Sequence, residues 1–157
     1  MINLLPEPKR LLETGGLTAP FAGLYLADAD EDQLELAGLR FWNNPGLLIS
    51  GKTDMGLYPV RLLPELNDPG FLSEPLFQSQ GYQLDIRGES ALLRFGQRAG
   101  LINGLTTLRM LLSRETEGFT LPLCEISDYP SLKVRAVAPT FSWYAGYGRI
   151  GFDMQLW

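Results

Sequence analysis

The chain has 157 residues, 45% hydrophobic and 20% charged, which suits one ordinary globular domain with an adequate core. Its 18 acidic and 13 basic residues leave a formal charge of −5, and the arginines are scattered, which argues against a nucleic-acid partner. Histidine is absent and Cys124 is the single cysteine, so Ser-His-Asp and Cys-His catalysis, imidazole-held zinc and an internal disulfide are excluded; no metal or cofactor is expected.

Met1-Ile2-Asn3-Leu4-Leu5-Pro6 carries no basic stretch and breaks at a proline, so no secretory signal is visible. That fits a cytoplasmic protein if Met1 is native and a secreted one if a signal has been removed. No apolar run approaches the roughly 18 residues that cross a membrane. Pro6 and Pro8 favour extended backbone up to Lys9, and Gly15-Gly16 then punctuates the chain. Leu17 to Ala27 reads as a strand. Asp28, Asp30, Glu31 and Asp32 precede an apolar series, which predicts a helix with Asp28 or Asp30 as N-cap and Leu34, Ala37 and Phe41 on one face. Asn43-Asn44-Pro45-Gly46 ends it.

Leu57 to Leu63 reads as a strand closed by Pro64, followed by a polar loop through Asn67-Asp68-Pro69-Gly70 and Glu74-Pro75. Tyr82, Leu84 and Ile86 alternate with Gln83, Asp85 and Arg87, Gly88-Glu89-Ser90 turns the chain, and Ala91 to Phe95 returns, the signature of a hairpin with one buried face. From Ala99 to about Arg114, Leu101, Leu105, Leu108 and Leu112 form one helical stripe. Gly100 and Gly104 cost roughly 1 kcal/mol each against alanine in a helix, so close packing on the sheet is expected there. Phe119 to Ile126 is a further strand, and Asp128 to Ser131 a turn. Strands joined by hairpins and interrupted by two helices predict an α+β fold with an open sheet.

Without histidine the chemistry-bearing candidates are carboxylates, yet Asp30-Glu31-Asp32 reads as cap and first-turn acids, and Asp85 and Glu89 as solvated hairpin residues. Glu125 and Asp128 flank a strand and a turn, with Asp128 suited to an Asx turn. No carboxylate is assigned a catalytic role. Cys124, in an apolar stretch, reads as a buried inert thiol. Six of the 17 aromatics crowd into the last 17 residues: Phe141, Trp143, Tyr144, Tyr147, Phe152 and Trp157. They suit a sugar-stacking platform, with Trp143 and Tyr144 as substrate-binding residues. Local core and part of a second domain compete with that reading, and the second domain is favoured; a dimer through these aromatics is the further partner they allow.

Leu4-Leu5-Pro6-Glu7-Pro8-Lys9, Tyr82-Gln83-Leu84-Asp85-Ile86, the helix segment Gly104 to Leu112, and Glu125-Ile126-Ser127-Asp128-Tyr129-Pro130 followed by Arg135 stand in a telling order. Together they resemble the N-terminal accessory domain of the β-N-acetylhexosaminidases of glycoside hydrolase family 20. The resemblance implies an open, largely antiparallel or mixed sheet with two helices packed on one face, leading into a (β/α)8 barrel in the same polypeptide. The expected division is an accessory domain over residues 1–132 and the first barrel strand and loop over residues 133–157. It implies that Arg135 hydrogen-bonds sugar hydroxyls of a glycan substrate in the parent enzyme, although pairing with a carboxylate at the junction fits an arginine there equally well. After Arg135 the pattern departs from the family, with Ala136, Pro139, Thr140 and Phe141-Ser142-Trp143-Tyr144. The acidic pair of the family's substrate-assisted mechanism would fall beyond Trp157. The competing expectation is a free-standing glycan-binding or self-association module of the same fold.

Overall fold

The computed structural model describes residues 2, 4 and 6–134. The strands are β1 (Arg10–Leu17), β2 (Gly23–Ala27), β3 (Leu48–Ser50), β4 (Leu57–Leu63), β5 (Tyr82–Ile86), β6 (Ala91–Phe95), β7 (Ser113–Glu115), β8 (Gly118–Thr120) and β9 (Pro122–Asp128). The helices are α1 (Glu31–Phe41), α2 (Pro75–Gln80) and α3 (Arg98–Leu111). Seven strands form one open mixed sheet in the order β1-β9-β5-β6-β4-β2-β3, and β7 with β8 makes a small separate ribbon. The β1-β9-β5-β6 half is antiparallel, whereas β6-β4, β4-β2 and β2-β3 are parallel. This is the α+β class read from the residues.

Period-two alternation places Tyr82, Leu84 and Ile86 on the buried face, opposite Phe95, Leu93 and Ala91 of β6. Ile126 and Cys124 continue these rows across β9, and Leu62 and Val60 across β4. Pro59 lies inside β4, where a missing N–H would normally break a ladder. Pairing with β6 begins only at Val60, so Pro59 sits where β4 has a single neighbour, β2.

The long helices cover this apolar face. Asp30 is the N-cap of α1: its carboxylate accepts the Gln33 N–H at 2.8 Å, and Gln33 returns a bond to the Asp30 N–H, closing a capping box. Asp28 lies outside the helix with φ 61°, one of the few side chains that tolerate left-handed backbone. Leu36, Ala37 and Phe41 are buried, so Leu36 takes the deep place expected of Leu34, which is half-buried. On α3, Leu101, Leu105 and Leu108 are buried as the stripe predicts, but Leu111 replaces Leu112, because the helix ends at Leu111 and Leu112 has extended backbone. A Cβ on Gly100 would stand 2.2 Å from the Gly81 carbonyl oxygen, and one on Gly104 2.4 Å from Leu93 Cδ1. Gly104 therefore lets α3 lie directly on the sheet, and Gly100 lets it approach the backbone between α2 and β5.

Several elements differ from the sequence reading: β3 and β7 are additional strands, and the strand expected over residues 119–126 is divided into β8 and β9. β1 runs through Gly15 and Gly16, expected to be punctuation; it pairs with β9, and its register breaks between Glu13 and Leu17, where Gly15 and Gly16 have φ of 79° and 88°. The strand expected over residues 17–27 starts only at Gly23. A third helix, α2, stands in the expected loop: Pro75 opens it at a position where no N–H is needed, and Phe77 anchors it in the interior.

Candidate functional site

The two outer surfaces of this layered domain are chemically unlike. On the outward side of the helix layer, Leu39 is 60% exposed, Trp42 68% and Met110 44%, and the chain beyond β9 adds exposed Leu132 and Val134. The helix-free face of the sheet carries side chains that alternate with the buried rows, and its charges pair with one another. Arg87 bonds Asp85 and Glu125 at 2.6 Å each, Arg61 approaches Asp28 at 3.8 Å, and Arg94 approaches Glu65 at 4.0 Å.

At one end of the sheet the leading segment and the trailing segment are clasped together. The Lys9 N–H donates to Asp128 Oδ1 at 3.1 Å, and Lys9 Nζ donates to Ser131 Oγ at 2.8 Å while lying 5.4 Å from the Tyr129 ring centroid. Next to it, Arg10 lies 4.9 Å over the Phe71 ring and donates to Asp68 Oδ2 at 2.6 Å. Phe71 and Phe77 each meet Tyr129 edge to face and are tilted against each other, with centroids 5.5–5.9 Å apart. Gln80 Nε2 donates to the Lys133 carbonyl at 3.0 Å, extending the clasp past the sheet. Asp68 is buried, and desolvation alone would raise its pKa. Its hydrogen bonds with Ser127, Gly70 and Arg10 outweigh that and hold the carboxyl below the ordinary range.

Beside the clasp, a cleft of about 420 Å³ opens between the leading segment, α3 and residues 128–132. Tyr82 and Thr107 share a 2.6 Å hydroxyl contact in its wall, and Met110 and Leu132 supply apolar surface. Burial pushes the Tyr82 phenol well above its usual pKa, so it stays a neutral hydrogen-bonding group.

Arg135, Trp143 and Tyr144, the residues expected to touch sugar, lie outside the described residues, as does the rest of the aromatic tail. Glu31 and Asp32 stand in the first turn of α1 after the Asp30 cap. Glu125 is ion-paired to Arg87, and Asp128 belongs to the clasp. Cys124 is buried, and desolvation with the nearby acids Glu13, Asp85 and Glu125 pushes its thiol up to about 11. Among the described residues no group of three or more Cys, Asp or Glu is arranged to hold a metal ion, and no helix is long and apolar enough to cross a membrane. The clasp itself is invisible to sequence reasoning: Lys9 and Asp128 are 119 positions apart, and Arg10 and Asp68 58 apart.

Residues 2–129 match the family described as glycosyl hydrolase family 20, domain 2. Comparison with curated protein sequences finds no match. Among solved structures, the chain is similar to the β-N-acetylhexosaminidase of Bacteroides fragilis NCTC 9343, with a TM-score of 0.56, 16% identity, and coverage of 83% of this chain and 25% of that one. It is similar to the exo-β-N-acetylglucosaminidase of Vibrio harveyi solved with N-acetylglucosamine, with a TM-score of 0.57, 20% identity, and coverage of 82% and 19%. The chitobiase of Flavobacterium johnsoniae gives a TM-score of 0.56 at 17% identity, covering 80% of this chain and 20% of that one. At these identities the likeness is one of fold. The chain spans about a quarter or less of the length of these enzymes.

Proposed function

The chain belongs to glycosyl hydrolase family 20, through that family's domain 2, and from that premise we propose that it is the non-catalytic accessory domain of a glycosidase acting on N-acetylated sugars. Its task is mechanical. The outward side of α1 and α3, with Leu39, Trp42 and Met110, packs against a catalytic (β/α)8 barrel in the same polypeptide, where burial of apolar surface stabilises the pair. The clasp of Lys9 and Arg10 on Tyr129, Asp128 and Phe71 holds the outgoing chain at a defined point of the sheet and sets where that barrel begins. On this reading residues 1–132 are the accessory domain and 133–157 open the barrel. Arg135 then serves sugar hydroxyls, and Trp143 and Tyr144 offer rings to the apolar face of a pyranose.

The observation that carries the proposal is the position of the family match: it stops at residue 129, where the clasp gathers the trailing segment. The test is enzymatic. Purified 1–157 is expected to leave an aryl β-N-acetylglucosaminide intact, while the polypeptide containing the following barrel hydrolyses it and loses kcat/KM on Arg135→Ala. Turnover by 1–157 alone would sink the reading. A natural reading frame that stops at Trp157 would transfer support to self-association, in which two exposed helix faces cover each other; sedimentation would then show a dimer that Trp42→Ser dissociates.

A further inference from the structure

The helix-free face of the sheet holds a second, smaller cleft, distant in kind from the apolar helix side. Its volume is about 260 Å³, just under the range typical of drug-sized ligand sites and therefore scaled to a single small ring. Six of its eight lining residues carry polar groups, and several of these are braced. Gln83 accepts the Asn67 backbone N–H on Oε1 at 2.8 Å, which fixes its carboxamide while the –NH₂ end has no partner among the described residues. Glu125 gives Oε1 to Arg87 at 2.6 Å and keeps Oε2 unbonded among the described residues. The Asn67 side-chain amide is likewise unengaged there, and the Ser127 hydroxyl lies against Asp68. Arg10, locked between Asp68 and the Phe71 ring, closes one side. Leu12, 54% exposed, and Pro69 supply apolar wall.

We propose that this cleft is a saccharide-binding site of the accessory domain, separate from any site in the barrel. Vicinal sugar hydroxyls both donate and accept. Two carboxamides and a carboxylate oxygen, each with spare capacity, match that pattern, and the Leu12 and Pro69 wall takes the C–H face of the ring. Bracing by Asn67 N–H and Arg87 means that little side-chain freedom is lost on binding. The choice of a saccharide over another small polar ligand rests on the accessory-domain reading; the cleft and its geometry do not.

The test is a ¹⁵N-NMR titration of the full 1–157 chain with methyl β-N-acetylglucosaminide, methyl β-glucoside and methyl β-galactoside, with glycerol as a non-sugar control. At least one glycoside is expected to produce saturable shifts with Kd on the order of 1–10 mM, the weak end of specific binding. They should be centred on Leu12, Gln83, Glu125 and the Asn67 and Gln83 side-chain amides. Gln83→Ala should weaken binding about tenfold or more, a change of roughly 1.4 kcal/mol. Leu12→Arg, at an exposed position where the fold is not at stake, should abolish it by filling the cleft, and Trp42→Ser should leave it unchanged. Absence of saturable shifts with all three glycosides, shifts centred on the helix side, equal shifts with glycerol, or binding undisturbed by Leu12→Arg would each overturn the site. None of those results bears on whether 1–157 lacks glycosidase activity, so the two proposals fail separately.

Discussion

The helix-free face of the sheet and the outward face of the helices bury opposite sides of one core, yet they solve different problems. The sheet face pairs most of its charges internally: Arg87 with Asp85 and Glu125, Arg10 with Asp68, and Arg61 beside Asp28. The helix face leaves Leu39, Trp42 and Met110 exposed among the described residues. The contrast is between two ways of finishing the surface of one small domain. Charge pairs of low net worth suffice where a surface stays wet, whereas apolar side chains at the outer positions of two adjacent helices make sense against another apolar surface.

The shared core couples the two faces. Leu93 is fully buried beneath Gly104. Leu93→Ala should cost about 2–5 kcal/mol and lower Tm by roughly 6–20 °C, loosening both faces together; a loss confined to one face in hydrogen exchange would show that they are independent. Gly100→Ala comes next. The added Cβ meets a backbone oxygen at 2.2 Å rather than a movable side-chain end, so about 1–3 kcal/mol is expected despite alanine's better helix propensity. A neutral result by chemical denaturation would mean that α3 does not rest on Gly81.

On the sheet side, Asp68 couples stability to pH. Its folded pKa lies below the ordinary value, so it contributes stability that is full above the unfolded pKa of about 3.9 and is lost as pH falls through the folded pKa. Asp68→Asn should destabilise by about 1–2 kcal/mol at pH 7. Variant and parent should converge as pH approaches 2, and urea midpoints measured from pH 7 to 2 check both the size and the sign. The smallest effect belongs to the helix face. Trp42→Ser should change the stability of 1–157 by no more than about 0.5 kcal/mol, while lowering the melting temperature of the polypeptide that includes the barrel. An equal, large loss in both would mean that Trp42 belongs to this domain's own core.

Where a pattern is local, the residues alone reveal the structure. The β5–β6 hairpin follows from strict alternation and a three-residue polar turn, β4 from its apolar run, and α3 from leucines at spacings of four and three. The close approach of α3 at Gly100 and Gly104 is legible too, because glycine in a helix is costly without a packing reason. β1, β3 and α2 are not legible. β1 is an exposed edge strand with two glycines, β3 has three residues, and α2 is a six-residue helix without a side-chain cap. Each is held by partners far along the chain rather than by its own propensity. The same holds for the polar cleft and the clasp, whose members come from β1, the loop before α2, β5, β9 and the trailing segment.

Hydrophobic periodicity, caps and glycine placement are nearest-neighbour chemistry, and they suffice for the α+β class, the main helix and the buried face of the hairpin. Which strand lies beside which, that Lys9 meets Asp128, and that Asn67, Gln83 and Glu125 surround one cleft are outcomes of sheet order. That order is set by the collective burial of side chains on the helix-facing side, a quantity defined only once distant segments are assembled.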